Sequence, residues 1–322
     1  VLQMENARKS HRIEFLPGDF SNSPPEELLI SSTPIDLKSV QMSSIVEPKV
    51  QIDSLKDRVS PRLTLLLRDK FQVRVIREAV LNRRLNAEDV DAIILDFEFG
   101  RDYSESVNEI RSLGIKVGIA TTRILKPQEY QNLKNIFNLN PDIILVRNLG
   151  ALQYFRSQQV FQGHIFGDFS LNAANSKTVE YLLGKGLDRL TISYDLNALQ
   201  VSDLLMALKN SNSQALLKNL EVTIHQSMPS FHMEHCVFAA FLSEGSSYKD
   251  CGKPCEKHEV KLKDQLGNWH YIKPDQECRN TMYNAVSQTA ISYYSDWQSL
   301  GLKNIRYEAL RETGEELVQR VD

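Results

Sequence analysis

Residues 92–121 read AIILDFEFGRDYSESVNEIRSLGIKVGIAT. The stretch opens on an apolar run, crosses a polar segment with helical spacing (Tyr103–Leu113), reaches Gly114 and ends on a second apolar run. Short, continuous apolar runs suit strands buried on both faces. A strand, a helix and a second strand in that order make the two strands parallel. Gly114 falls where the helix hands over to the strand, a place for a left-handed cap.

Working outward, the same texture recurs. The runs are LTLLLR (63–68), AIILDFE (92–98), KVGIAT (116–121), IILVRN (143–148), HIFGDFS (164–170), LTISYD (190–195), EVTIHQ (221–226) and NIRYEA (304–309). Amphipathic segments lie between most of them, among them Phe71–Asn82, Gln128–Leu139 and Asn172–Gly184, and Gly186 and Gly301 repeat the role of Gly114. Eight such strands are the count for a (β/α)8 TIM-like barrel over about 61–310. The competing architecture is an open doubly wound sheet, which more often carries a Gly-rich phosphate loop after its first strand. LTLLLRDKFQV has none.

Composition is that of a globular protein: 42% hydrophobic, 25% charged, formal net charge -3. Nothing in that balance advertises a polyanionic partner. No run of 18 apolar residues occurs, so no membrane-spanning helix is expected. The start, VLQMENARKSHRIEF, lacks the apolar core of a secretory signal and does not begin with Met. A fragment or processed form is therefore expected, with a cytoplasmic location. Residues 1–60, with SNSPPEELLISSTP, hold no lasting period and read as a linker or the tail of an upstream domain.

Most apolar runs end in polar groups: Arg68, Asp96, Glu98, Arg123, Arg147, Asn148, Asp168, Asn172, Tyr194, Asp195 and His225. In a barrel these ends converge on one face, the face that carries active sites. Asp168, Asp195 and His225 are the acid/base candidates. Arg123, Arg147, Asn148, Asn172 and Tyr194 are the substrate-binding candidates.

The connection between the last two runs, 227–303, is far longer than the others and holds all four cysteines: Cys236, Cys251, Cys255 and Cys278. It is expected to cap the C-terminal ends of the strands. Four converging thiolates suit an iron–sulfur cluster or zinc, and the spacing leaves plain or disulfide-bonded cysteines open as well. His232-Met-Glu-His235 is not the H-E-x-x-H of zinc proteases. Lys249, Lys253, Lys257, Lys261, Lys263, Lys273 and Arg279 flank the cysteines. They form either a solvated surface or a mouth for an anionic substrate such as RNA phosphate or a small carboxylate.

FHMEHCVFAAFLSEGSSYKDCGKPCEKH followed by ECRNTMYN resembles the signature of the U32, or collagenase-like, peptidase family. IATTRILKP, ILVRNLGALQYF, GDFSLNAANS and ISYDLNA resemble its other blocks, in the right order over about 61–310. The likeness is to the second half of long two-part members, so an upstream U32-like domain or partner chain is implied, and a plastid stroma if the source bears plastids. Some members are described as collagen-degrading proteases. Others resemble oxygen-independent hydroxylation factors acting on tRNA, ribosomal RNA or the ubiquinone ring. The quinone-acting members hold a [4Fe–4S] cluster on four cysteines. On that likeness Cys251 and Cys255 match the close pair, Cys236 the cysteine before it and Cys278 the distant fourth. Members often carry a further cysteine where this chain has 228–235 without one. The resemblance implies an iron–sulfur enzyme hydroxylating RNA or a small aromatic metabolite. The rivals are a metal- or cysteine-dependent peptidase and a non-enzymatic RNA-binding or assembly module with a four-cysteine site.

Overall fold

A computed structural model describes residues 61–157, 161–245 and 249–321. The expectation for 1–60 lies outside these residues. The chain opens with β1 (Arg62–Leu67), α1 (Lys70–Leu81), β2 (Val90–Leu95), α2 (Tyr103–Ser112), β3 (Lys116–Ala120), α3 (Tyr130–Asn138), β4 (Ile143–Val146) and α4 (Leu149–Ser157). It continues with β5 (His164–Gly167), α5 (Ser176–Gly184), β6 (Arg189–Thr191), α6 (Ala198–Lys209) and β7 (Leu220–Gln226). The insertion follows, with β8 (Pro229–Met233), α7 (Val237–Leu242), β9 (Val260–Lys263), β10 (Trp269–Pro274), β11 (Asn280–Tyr283), β12 (Gln288–Thr289) and α8 (Tyr294–Ser299). β13 (Asn304–Glu308) and α9 (Gly314–Val321) complete the described elements.

Strands β1 to β7 and β13 pair in parallel, and β6–β7 pairing closes the circle. Each of the eight apolar runs holds one barrel strand, so the barrel expectation stands and the open sheet does not. Local chemistry sets the boundaries. Asp69 caps α1 by accepting from the Gln72 N–H, Asn175 caps α5 through Thr178, and Asn197 with Gln200 forms a capping box on α6. Gly114, Gly186 and Gly301 turn at φ of 75°, 91° and 108°, ending helices as their sequence positions implied.

Alternation along the strands divides the core into two layers. The outer layer, between strands and helices, is apolar throughout, with Leu65, Ile93, Val117, Ile144 and Leu205 among its members. The interior is split. One part is apolar: Leu66, Ala92, Ile94, Ala120, Ile143, Leu145 and Phe166. The other part is ionic and is described below. Gly118 belongs to the crowded inner side: a Cβ there would lie 2.3 Å from Ile94 Cδ1.

The insertion builds its own antiparallel sheet in the order β8-β11-β10-β9. Phe238 of α7 packs with Val260, Ile272 and Met282 into a small core of its own. Several contacts fasten the insertion over the C-terminal ends of the barrel strands. Gln276 donates to the Tyr103 hydroxyl at 2.8 Å, and Lys273 Nζ lies 3.2 Å from Glu98. Arg279, almost wholly buried, joins Glu129 of the barrel (2.7 Å) to Glu234 of the insertion (2.8 Å). Among the described residues no helix is long and apolar enough to cross a membrane.

Candidate functional site

The ionic half of the interior is a closed ring. Arg306 donates to Asp168 (2.6 Å), and Asp168 accepts from Arg147 (2.8 Å). Arg147 grips Asp96 with two bonds of 2.8 Å, Asp96 lies 3.7 Å from Arg68, and Arg68 donates to Glu308 at 3.0 Å. Glu308 returns to Arg306 at 3.5 Å. A branch runs down the barrel from Arg306 through Glu221 to Arg189 and Asp91. Thr64 and Thr191 each donate to Glu221 at 2.9 Å. Charges this deep persist because nearly every one is paired and hydrogen-bonded. Burial alone would raise the Asp168 carboxyl, but the Arg306 and Arg147 guanidinium groups hold it at about 2.

Above the ring, strand ends and insertion enclose a chamber. Its walls include Arg68, Asp96, Glu98, Thr122, Arg123 and Arg147 from the barrel, with His232, Lys273, Asp275, Gln276, Thr281 and Tyr283 from the insertion. Its free volume is ≈ 50 Å³, room for a water or two. Several buried atoms in these walls have no hydrogen-bond partner among the described residues: His232 Nε2, Asp275 Oδ2 and Arg68 Nε. His232 sits directly across the β8–β11 pair from Thr281, and its Nδ1 lies 2.8 Å from the Thr281 hydroxyl. Burial, aided by Arg123, Arg147 and Arg279, lowers His232 to about 4, so it is neutral near pH 7. Burial pushes Asp275 up to about 6, against the N–H bonds its Oδ1 accepts from Glu277 and Arg279. Burial also raises Glu98, against the pull of Lys273. Arg123 stacks over the Phe169 ring at 4.8 Å and makes no ion pair among the described residues.

The residues singled out from sequence scatter. Arg123 and Arg147 line the chamber. Asp168 is fully buried below the chamber, with one oxygen on Arg147 and the other on Arg306. His225 is turned away altogether. A register shift between Arg306 and Tyr307 sets it opposite Tyr307, and its ring stacks there at 4.7 Å. Its Nε2 faces Glu312 at 3.6 Å and Arg320 of α9 at 3.4 Å, on the outer side of the barrel. Asp195 is exposed in the loop after β6, bonded to Ser193. Asn172 is exposed at φ 57°, shaping a turn. Asn148 begins α4, accepting from the Ala151 N–H and donating to the Thr122 carbonyl. Tyr194 packs against Phe169 at 3.8 Å between ring centroids.

The four cysteines are thiols, with no disulfide among them. Cys236 precedes α7, its sulfur accepting from the Ala239 N–H at 3.4 Å. The Cys251–Cys255 turn is bent by Gly252 (φ 63°) and Lys253 (φ 50°). Cys278 takes φ 61° in the turn begun by Asp275. Burial pushes the Cys255 thiol up to about 11, and Cys236 and Cys278 push the same way. Lost hydration raises Cys278 too, and Cys236 and Cys251 add to it. Cys278 thus lies within electrostatic reach of the other three, and Cys255 within reach of Cys236. No three His, Cys, Asp or Glu side chains among the described residues converge tightly enough for a single metal ion. Glu98 joins the two regions: it lines the chamber, and its charge raises Cys255.

Fold and site together define a TIM-barrel protein with a polar chamber at its C-terminal face, roofed by a cysteine-bearing insertion. The profile of the family described as peptidase family U32 matches residues 77–319. The chain belongs to that family. No curated protein sequence matches it. Among solved structures it is similar to the U32 peptidase Mk0906, at 11% identity and TM-score 0.44, covering 81% of this chain and 97% of that one. It is also similar to the spore cortex-lytic enzyme SleL of Bacillus cereus, at 10% identity and TM-score 0.45, covering 82% and 74%. A third is the 3-hexulose-6-phosphate synthase of Salmonella typhimurium, at 14% identity and TM-score 0.39, covering 81% and 97%.

Proposed function

We propose that this chain is an enzyme whose substrate presents its reacting group at the mouth of the chamber between barrel and insertion, and that Cys236, Cys251, Cys255 and Cys278 hold a [4Fe–4S] cluster beside it. The observation that carries the reading is that neighbouring thiols of the same insertion raise Cys255 and Cys278, Cys236 acting on both. Thiols that oppose one another's ionisation release their protons when a cation arrives to share. A single zinc draws its four sulfurs to about 2.3 Å from one centre. A cluster gives each cysteine its own iron and asks for a wider ring, and the resemblance to cluster-bearing family members is what favours it over zinc. Such a cluster supplies one-electron chemistry. The sequence blocks, by resemblance, favour O₂-independent hydroxylation of RNA or a small aromatic metabolite. Arg123, without an ion pair at the chamber wall, would take an anionic group of that substrate. The test is iron, zinc and sulfide content, with visible absorption, on anaerobically purified protein. Iron and sulfide in near-equal amounts are expected, and zinc without sulfide would sink the cluster.

The second reading, a peptidase, is favoured by His232, held between the Thr281 hydroxyl and Asp275, whose Oδ2 lies 4.0 Å from Nε2. Gelatin cleavage by metal-stripped protein, kept in Cys251→Ser but lost in His232→Gln, would put this reading ahead of the first.

A further inference from the structure

We propose that the seam between β6 and β7 is a binding site for an uncharged, ring-bearing molecule carrying a hydroxyl or amide group. The site follows from a mismatch in strand length. β6 meets β7 only at Leu190–Leu220 and Thr191–Glu221. After one more bond, from the Ile192 N–H to the Glu221 carbonyl, the chain turns away and Ser193 donates to Ala173 instead. β7 runs on to Gln226. There β12 takes the place that β6 has left, pairing Thr289 with His225 and Gln288 with Gln226, while the Ala290 N–H bonds the Ile224 carbonyl. Between the departing β6 chain and the arriving β12 lies a stretch of β7 around Val222 and Thr223. A cavity of ≈ 400 Å³ opens there.

The lining says what would fit. Ile192, Val201, Val222 and Ile224 are aliphatic, and Tyr293 and Trp297 add rings. Among the described residues no Asp, Glu, Lys, Arg or His lines the cavity, so these walls offer no partner to an ion or a phosphate. Two lining residues carry buried oxygens with no hydrogen-bond partner among the described residues, Thr223 Oγ1 and Gln226 Oε1; Tyr194 also lines the cavity, but its hydroxyl lies among Arg123, Asp168, Tyr283 and Glu308 on the chamber side. Gln226 is 5% exposed. Buried polar atoms normally find partners, and two on the same strand beside one cavity point to a ligand that supplies them. Apolar walls with a few convergent polar groups, at this volume, are the usual make-up of a small-molecule pocket. Tyr194 packs on Phe169, which also lines the chamber, so the two cavities share a wall. The inference uses none of the cysteines and stands or falls apart from the metal reading.

Trp297 lines the seam and the other tryptophan, Trp269, lies on β10 of the insertion, so Trp269→Phe leaves one reporter. Phenol added to that protein should shift Trp297 emission to a plateau. Thr223→Val removes a hydroxyl at nearly constant shape and should weaken phenol roughly three- to tenfold, the worth of one hydrogen bond. Ala198→Phe places a ring into the cavity from the first turn of α6 and should abolish binding. Benzoate, charged and without a cation to meet, should bind at least roughly tenfold more weakly than phenol. A response that never saturates, benzoate as tight as phenol, or phenol binding unchanged in both variants would overturn the site.

Discussion

Replacing Arg306 by methionine removes the guanidinium at the centre of the barrel while keeping much of its volume. Arg306 is fully buried and donates to Glu221, Asp168 and Thr191 at 2.8, 2.6 and 2.6 Å. In the native interior four guanidinium groups (Arg68, Arg147, Arg189, Arg306) face five carboxylates (Asp91, Asp96, Asp168, Glu221, Glu308). The variant leaves three against five. Each stranded carboxylate keeps one cation: Asp168 keeps Arg147, Glu221 keeps Arg189 and Glu308 keeps Arg68. The loss therefore belongs in the range for one broken buried pair, about 3–5 kcal/mol, and not a multiple of it. At about 2–4 °C per kcal/mol for a domain of this size, melting should fall by roughly 6–20 °C at pH 7. The pH dependence has a definite sign. Asp168 is held at about 2 in the folded chain against about 3.9 unfolded. Its pairing stabilises the wild type fully above pH ~4 and is lost as pH falls through 2. The gap between wild type and variant should therefore narrow in acid. Adding Asp168→Asn removes one surplus charge and should recover part of the loss. Thermal unfolding of the three proteins at pH 7 and at about pH 2.5, inside the window between the two Asp168 values, is the assay. A variant within about 1 kcal/mol of wild type at pH 7, or a gap that widens in acid, would refute the reasoning.

Glu312→Gln should cost about 2 kcal/mol near neutrality. Burial alone would raise this carboxyl, but His225 and the N–H groups of Leu310 and Arg311 hold it at about 2. The difference should be full above pH ~4.3 and fade towards pH 2 in denaturant titrations. Gly118→Ala should destabilise by about 1–3 kcal/mol, because its Cβ would meet Ile94 Cδ1 at 2.3 Å. Ile94→Val in the same chain should relieve it, and no relief would place the strain elsewhere. Cys278→Ser should lose bound metal and raise amide exchange over 249–283 while the barrel melts as before. Full metal content in that variant would exclude the fourth thiol as a ligand.

The barrel was legible because its signal is repetitive: each of eight apolar runs contains a strand, and Gly114, Gly186 and Gly301 mark helix ends. The site was less so. Polar groups at strand ends were visible, but sequence does not say which side of the wall each faces. The register shift beside Tyr307 turned His225 outward, and nothing in EVTIHQ announces it. The two arginine partners of Asp168 were not legible beside it, because they lie far from it in the chain. One signal was overlooked. Arg306 and Glu308 sit inside an apolar run rather than at its end, and charges in such places call for partners. Asp275 had no signal at all, since only the tertiary fold lays it against His232.

The placing of Arg306 and Glu308 on the final strand bears on how the chain reaches its native state. β13 pairs with both β1 and β7, joining Asn304 to Arg62 and to Glu221. Until that strand arrives, Asp168 and Glu221 lack their shared cation, and β1 and β7 each present an open edge. A half-built barrel is thus a poor resting place, electrostatically unbalanced within and ready to pair with other chains at its rims. Contacts of such long sequence separation form slowly. Assembly is expected to be late and all-or-none, with the N-terminal strand waiting for almost the entire polypeptide. A chain ending before Asn304 is expected to aggregate rather than populate a soluble intermediate.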